Sequence, residues 1–336
     1  MRVFHKTIVV VVYAFSVVSA FSNTKPVDAI IASYRETDRA AKANLLRLSI
    51  GQSTTNNIYL QLRLAEITPD RDEAVRVLND LLNESPHDAG IQYQLALISP
   101  QSFSTIERWA KLESTNALPY YLLAARCLGD DFKKQLSYVR QGNSREMVLY
   151  HPVYLRYEKS FPERFDTNII NRAHTESMMQ STHGITSGFR QLIYTAEKHI
   201  KDSAEEYAWE TLQEFLSFGE NLAAARPVDI FSFHCGFAIA HDQFQAYLSR
   251  KDVPLNRKQY ATDYQNFLNG IFEEYRNRRK KLVAAMPADS LITNESAAMI
   301  EEMISLWRKA ADDLKPPRGQ EKSSGASGEV RSRFSP

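Results

Sequence analysis

The chain has 336 residues, of which 43% are hydrophobic and 24% are charged, and its formal net charge is +1. A near-neutral chain has no overall field to attract nucleic acid or an anionic membrane, so the composition argues against a nucleic-acid-binding role. Only 12 residues are glycine. Together with the absence of alternating β-branched runs from the sequence, this argues against an all-β exported fold.

The first twenty residues have the order of a secretory signal peptide. A basic start with Arg2 and Lys6 precedes an uncharged aliphatic run over residues 8–18, and small residues close the segment at Ala20. This order is typical of a cleaved export signal, and the apolar run is shorter than the roughly 20 residues that a membrane-spanning helix needs. We therefore expect export to the periplasm or the extracellular space, a mature N-terminus near Phe21 and no integral membrane span after cleavage. Retention of the uncleaved segment as a weak membrane tether is the alternative.

The N-terminal half is predicted to consist of short amphipathic helices. Apolar residues recur every three or four positions, as in Ala74, Leu78 and Leu81, and this period is typical of a helix with one buried face. Polar or proline-containing turns separate the segments, and acidic residues after Pro69 mark a helix start. The predicted helices span residues 26–48, 58–67, 71–83, 90–98, 104–112, 119–128 and 131–140.

Part of this pattern resembles a degenerate tetratricopeptide-type repeat over about residues 56–142. The resemblance is carried by Ala74, Leu78, Leu81 and Pro86, and by the leucine–alanine step at 95–96, which repeats at 123–124. It implies helix pairs stacked over residues 26–142, with a concave face that binds an extended peptide or another protein. Pro86 does not recur at the 34-residue period of that family, and a generic array of α-hairpins is the alternative.

The composition of the sequence changes after residue 142, and most of the remaining chain is predicted to be helical. Residues 143–188, rich in aromatic and charged residues, indicate a linker or a packed crossover. Long apolar periods then predict a helical bundle over residues 189–315, with helices over 189–222, 228–248, 260–282 and 294–314. Residues 316–336 are rich in proline, glycine, serine and charge, which predicts a disordered tail. The expected fold class is therefore all-α, with a helical-hairpin repeat array followed by a bundle.

Three aromatic residues are the candidate partner-binding residues. Trp109, Tyr120 and Tyr121 lie close together in the sequence, and in a repeat array they are expected near the groove between helices. Concave faces of helical repeats commonly bind extended peptides. Packing between repeats is the alternative role for the same side chains.

His234 and His241 are the candidate metal ligands. They lie seven residues apart on a strongly apolar predicted helix, so both imidazoles are expected on one face. A carboxylate from a neighbouring helix would have to complete the site. The spacing matches no zinc motif, and a histidine on an apolar helix is more often a hydrogen-bonded core residue. We therefore assign no cofactor from the sequence.

The only two cysteines, Cys127 and Cys235, are too few for a disulfide-based scaffold. Each lies among apolar residues, which favours two unpaired, buried thiols. A single disulfide between them is the alternative.

The sequence as a whole favours an exported, non-enzymatic protein–protein interaction or scaffolding module. The alternative is a metal- or cofactor-binding helical-bundle enzyme that uses His234 and His241. Both functions are expectations by analogy, because a fold does not determine a function. The partner, the host and the oligomeric state are left open by the sequence.

Overall fold

The computed structural model describes residues 26–52, 58–99, 103–127, 131–227, 230–285 and 294–313. Within these ranges the protein has fourteen α-helices, one short 3-10 helix and no β-strand beyond isolated bridges. The predicted all-α fold class is therefore confirmed. The predicted signal peptide of residues 1–20 and the predicted disordered tail of residues 316–336 lie outside the described residues.

The described residues between 26 and 143 form eight helices, each of which packs against the next along the chain. Three of them begin after an aspartate whose carboxylate accepts a first-turn amide, and such caps stabilise a helix by about 1 kcal/mol each. The caps are Asp70, Asp88 and Asp131. The helices are α1 (Pro26–Arg35), α2 (Arg39–Gln52), α3 (Ile58–Ile67), α4 (Arg71–Glu84), α5 (Ala89–Ile98), α6 (Phe103–Leu112), α7 (Leu118–Arg126) and α8 (Phe132–Asn143).

Six further helices follow, of which the second is the longest in the described part of the chain. A 3-10 helix at Pro162–Arg164 separates the first two. The helices are α9 (Val153–Ser160), α10 (Thr167–Asp202), α11 (Glu205–Ala223), α12 (Ile230–Leu248), α13 (Leu255–Ala285) and α14 (Asn294–Asp313).

The start and the end of α10 differ from the sequence-based expectation. The stretch predicted as a linker or packed crossover contains α9 and the first part of α10, so residue 188 lies inside a helix. Serine, threonine and histidine residues interrupt the apolar period there and conceal the helix. The helix predicted over 189–222 is in fact two helices, because Ser203 and Ala204 have extended backbone. The apolar period continues across this break and gives no sign of it.

Helix α10 contributes to all three hydrophobic cores of the described protein. Its first part supplies Ile169 and Ala173 to the array core, which α1–α5 and α9 also form. Its middle supplies Phe189 and Leu192 to the central core, which lies among α5–α8, α11 and α12. Near its end, Ile200 packs in the bundle core with α11–α14. A 36-residue helix is about 54 Å long, so one rigid element connects the whole described fold.

Alternate helices of the N-terminal part pack on α9 and α10. Helices α1, α5 and α7 contact α10, as α8 also does to a smaller extent, and α3 contacts α9. The odd-numbered helices therefore share a face, and the chain's own α9 and α10 cover that face.

An extended segment between α8 and α9 joins the two halves through backbone hydrogen bonds. The amide of Ala117, in the α6–α7 turn, donates to the carbonyl of Met147 at 2.7 Å. Arg226, in the α11–α12 turn, donates to the carbonyl of Val148 and accepts from the amide of Tyr150, each at 2.8 Å. One short segment thus fixes both turns relative to each other.

Helices α11 and α12 cross with their backbones in contact. A Cβ added at Gly236 would lie 2.2 Å from the carbonyl oxygen of Gly219 and 2.7 Å from the amide nitrogen of Ala223. Only glycine, which has no Cβ, permits the two helix backbones to come this close. No described helix is both long enough and apolar enough to span a membrane.

We expect Gly236→Ala to lower the free energy of unfolding by about 1–3 kcal/mol, because the added methyl forces α11 and α12 apart. The matched control is Gly270→Ala on α13, where an added Cβ meets no atom within 4 Å. That change should raise the free energy by up to about 1 kcal/mol, because alanine favours a helix. Urea denaturation measures both, and equal stability of the two variants would contradict the close crossing.

Candidate functional site

The three aromatic residues predicted to bind a partner occupy two different environments. Trp109 on α6 and Tyr121 on α7 are both 0% exposed and belong to the central core. Tyr120, also on α7, is half-buried and reaches the surface. The burial of Trp109 and Tyr121 agrees with the packing role that was the alternative for these side chains, because their faces of the helices point inward.

Trp109 is held by a half-buried carboxylate. Its indole nitrogen donates to Glu113 at 2.6 Å, and the side chains of Asn116 and His151 approach the same carboxylate oxygen at 3.0 and 2.8 Å. Burial alone would raise the pKa of Glu113, but the hydrogen bonds from His151, Asn116 and Trp109 outweigh it and lower the pKa to about 2. Glu113 is therefore a structural anion at neutral pH.

Asn116 links the carboxylate of Glu113 to the backbone of two neighbouring segments. Its side-chain oxygen accepts the amides of Leu118 and Leu149 at 3.0 and 2.9 Å, while its nitrogen donates to the carbonyl of Leu149 at 3.1 Å. The α6–α7 turn is thus bonded to the extended segment before α9. We call the side chains of Trp109, Glu113, Asn116 and His151 the Glu113 anchor.

Tyr121 connects three helices. Its hydroxyl donates to Asn143 at the end of α8 at 2.9 Å and accepts from Asn221 of α11 at 3.0 Å. The ring lies against Gly142, where an added Cβ would come within 2.4 Å of a ring carbon. These contacts give Tyr121 a packing role within the core.

Tyr120 marks a surface formed with two residues that follow α8. The guanidinium carbon of Arg145 lies 4.5 Å from the centre of the Tyr120 ring, which is cation–π geometry. Met147 is 39% exposed, and its backbone is bonded to Ala117, one turn before Tyr120. We call Tyr120, Arg145 and Met147 the Tyr120 surface.

The two candidate metal ligands lie on the same helix, as predicted, in aromatic surroundings. The His234 ring contacts Phe272 and Tyr275 of α13 at centroid distances of 5.5 and 5.2 Å. Burial, and secondarily the charge of Arg279, lower the pKa of His234. His241 stacks on Phe237 at 5.8 Å and lies 3.4 Å from the carboxylate of its neighbour Asp242.

The described residues do not supply a ligand set for these histidines. No group of three or more His, Cys, Asp or Glu side chains within the described ranges has the proximity that a metal ion requires. The metal role of His234 and His241 therefore has no third ligand in this part of the chain. Cys127 and Cys235 are half-buried, and no disulfide joins them.

A buried ionic cluster, which the sequence analysis missed, fixes α10 on the N-terminal helices. Arg63 of α3 is fully buried, and its guanidinium lies 2.6 Å from Glu66 of the same helix and 3.1 Å from Glu176 of α10. Lys42 of α2 approaches the same oxygen of Glu176 at 2.9 Å, and Ser177 donates to Glu66. We call Lys42, Arg63, Glu66, Glu176 and Ser177 the Arg63 cluster.

The two carboxylates of the Arg63 cluster differ in their electrostatics. Burial raises the pKa of Glu66 despite the neighbouring Arg63. Burial would also raise the pKa of Glu176, but the two cations Arg63 and Lys42 outweigh it and lower that pKa. The ring of Tyr34 lies 3.7 Å from the guanidinium carbon and closes the remaining side. Glu176, whose pKa is lowered, is ionised at neutral pH and holds α10 through Arg63 and Lys42.

His174 lies on α10, two residues before Glu176, and is buried beside Tyr154 of the array core. Its Nδ1 lies 2.6 Å from the hydroxyl of Tyr154 on α9, and its Nε2 has no hydrogen-bond partner among the described residues. Burial lowers the pKa of His174 to about 4, because the imidazolium would lose its hydration. The folded protein therefore holds this histidine neutral.

No protein-family model, curated protein or solved structure matches this chain.

We expect stability to fall as the pH drops from 6.5 towards 4, because the unfolded chain protonates His174 near its ordinary pKa and the folded chain does not. A shift from 6.5 to about 4 corresponds to a loss of about 3 kcal/mol at pH 4. Replacing the group by His174→Gln should remove that part of the pH dependence. The measurement is urea denaturation at several pH values, and identical pH slopes for the two proteins would contradict the assignment.

Proposed function

We propose that the chain is an exported, non-enzymatic protein–protein interaction or scaffolding module that binds its partner through the Tyr120 surface. In this proposal α1–α8 are a degenerate tetratricopeptide-like array whose usual groove is filled by α9 and α10. The partner therefore binds at an outer surface. The observation that carries the proposal is the set of half-buried Tyr120 and Arg145 with exposed Met147 at one hydrogen-bonded turn.

The composition of the Tyr120 surface supports binding. Tyrosine, arginine and methionine are enriched in the cores of protein interfaces, and tyrosine and arginine are frequent among the residues that dominate binding energy. The contact of 4.5 Å between Arg145 and the Tyr120 ring orders both side chains before a partner arrives. Ordering in advance lowers the entropy cost of association.

The support beneath this surface is rigid. Met147 is bonded through its backbone to Ala117 at 2.7 Å, and the Glu113 anchor fixes the turn that contains Ala117. The carbonyl of Ala117 also accepts the amide of Tyr120 at 3.1 Å. The positions of Tyr120 and Met147 are thus defined by the same turn.

We expect Tyr120→Ala and Met147→Ser each to weaken partner capture about tenfold or more, in line with interface residues whose truncation costs at least 1.4 kcal/mol. The measurement is crosslinking in the native host followed by mass spectrometry, with metal analysis of the same purified protein. Helicity and melting temperature should remain close to those of the wild type, because Tyr120 is half-buried and Met147 is 39% exposed.

The matched control is Leu48→Ser on α2, where the side chain is 46% exposed outside the Tyr120 surface. It should capture the partner like the wild type. Undiminished capture by both surface variants would overturn the proposed site. Stoichiometric metal without a recurrent partner would overturn the proposed function.

A further inference from the structure

An open cavity of about 360 Å³ lies between α3, α5 and α9. Its volume is within the range of small-molecule sites, about 300–1,000 Å³. The walls combine apolar side chains, Leu62, Val153 and Leu155, with three basic ones, His151, Arg156 and Lys159. No Asp or Glu is among the described residues that line it, so the two cations Arg156 and Lys159 give the cavity the character of an anion site.

Arg156 retains donors for a ligand. Only its Nη2 is engaged, 2.6 and 2.7 Å from the two carboxylate oxygens of Asp88. Its Nε and Nη1 make no hydrogen bond within the described part of the chain. A guanidinium has five N–H donors in a planar fork, so Arg156 can bind a second carboxylate while Asp88 holds it in place.

The local backbone positions the Arg156 side chain. A Cβ on Gly90 would lie 3.0 Å from Nη2 of Arg156, so the guanidinium lies directly against the first turn of α5. The Glu113 anchor holds His151 through a 2.8 Å contact to its Nε2. Two of the three basic residues are therefore ordered in the absence of a ligand.

Helix α9 adds a partial positive charge at the cavity wall. The helix begins at Val153, which lines the cavity, and no side chain caps its first turn. The amino end of a helix favours an anion. Lys159, on the same helix, is exposed and lines the cavity.

We propose that this cavity binds a small organic carboxylate. Arg156 and Lys159 hold the carboxylate, and Leu62, Val153 and Leu155 contact the apolar body of the ligand. Inorganic phosphate has no apolar part that could contact these three side chains, so we expect it to bind more weakly. The site is independent of the Tyr120 surface, so neither proposal depends on the other.

The test uses hexanoate and its uncharged counterpart hexanol in isothermal titration calorimetry with the whole protein. We expect saturable binding of hexanoate with one site per chain and much weaker binding of hexanol. Lys159→Met should weaken hexanoate binding about tenfold, as expected for loss of a charge-assisted hydrogen bond. The control Lys133→Met changes an exposed lysine on α8 outside the cavity and should leave the affinity unchanged.

Two further ligands, N-acetyl-leucine and inorganic phosphate, test which kind of anion the cavity prefers. N-acetyl-leucine carries the same carboxylate in the form of a peptide end. Tighter binding of N-acetyl-leucine than of hexanoate assigns the site to a peptide C-terminus, and the reverse order assigns it to a free acid. The proposal is overturned if hexanoate fails to bind at millimolar concentration, if hexanol binds equally well, if Lys159→Met has no effect, or if inorganic phosphate binds more tightly than hexanoate.

Discussion

Burial of the apolar face of α10 determines how the other helices are arranged. This helix must cover apolar side chains of the array core, the central core and the bundle core along a single axis. An isolated helix gains little stability from its backbone alone, and most of its stability in a protein comes from packing of its apolar face. The three cores therefore stabilise α10, and α10 in turn fixes the positions of the three cores. The odd-numbered N-terminal helices, which would otherwise expose a shared face, are covered as a consequence.

The Arg63 cluster determines where along its axis α10 is bound. A buried ion pair contributes little net stability compared with an apolar pair, but a buried charge that loses its partner costs several kcal/mol. Sliding α10 by one turn would separate Glu176 from Arg63 and Lys42, so this register is strongly favoured over its neighbours. Trp109 packs against Tyr93 and His151, and Tyr121 is held between α8 and α11, so both are enclosed in the central core. A partner surface therefore has to be sought at residues that reach the outside, such as Tyr120 and Met147.

The sequence predicted the bounds of the strongly periodic helices well, but it did not predict how the helices pack against one another. Helices with a clear apolar period, such as α4 and α12, were found close to their observed bounds. The first part of α10 was missed because polar residues interrupt its period, and the break at Ser203 was missed because the period continues across it. One signal for the Arg63 cluster was available, since Arg63 and Glu66 are charged residues within the otherwise apolar α3. Glu176, the partner of Arg63 on α10, lies 113 residues away along the chain, a separation that periodicity cannot bridge. The burial of Trp109 and Tyr121 likewise depends on long-range packing.

Native-state hydrogen exchange along α10 shows whether this helix unfolds as one element or in separate parts. If α10 is a single element shared by the three cores, the amides from Ile169 to Ile200 should open with one common free energy as denaturant is added. That free energy should equal the value for global unfolding and match the values for α3 and α12, because local opening of a shared helix would disrupt all three cores. Separate opening of the first part of α10 with α1–α4, at a lower free energy than the part that packs on α11 and α12, would contradict the account.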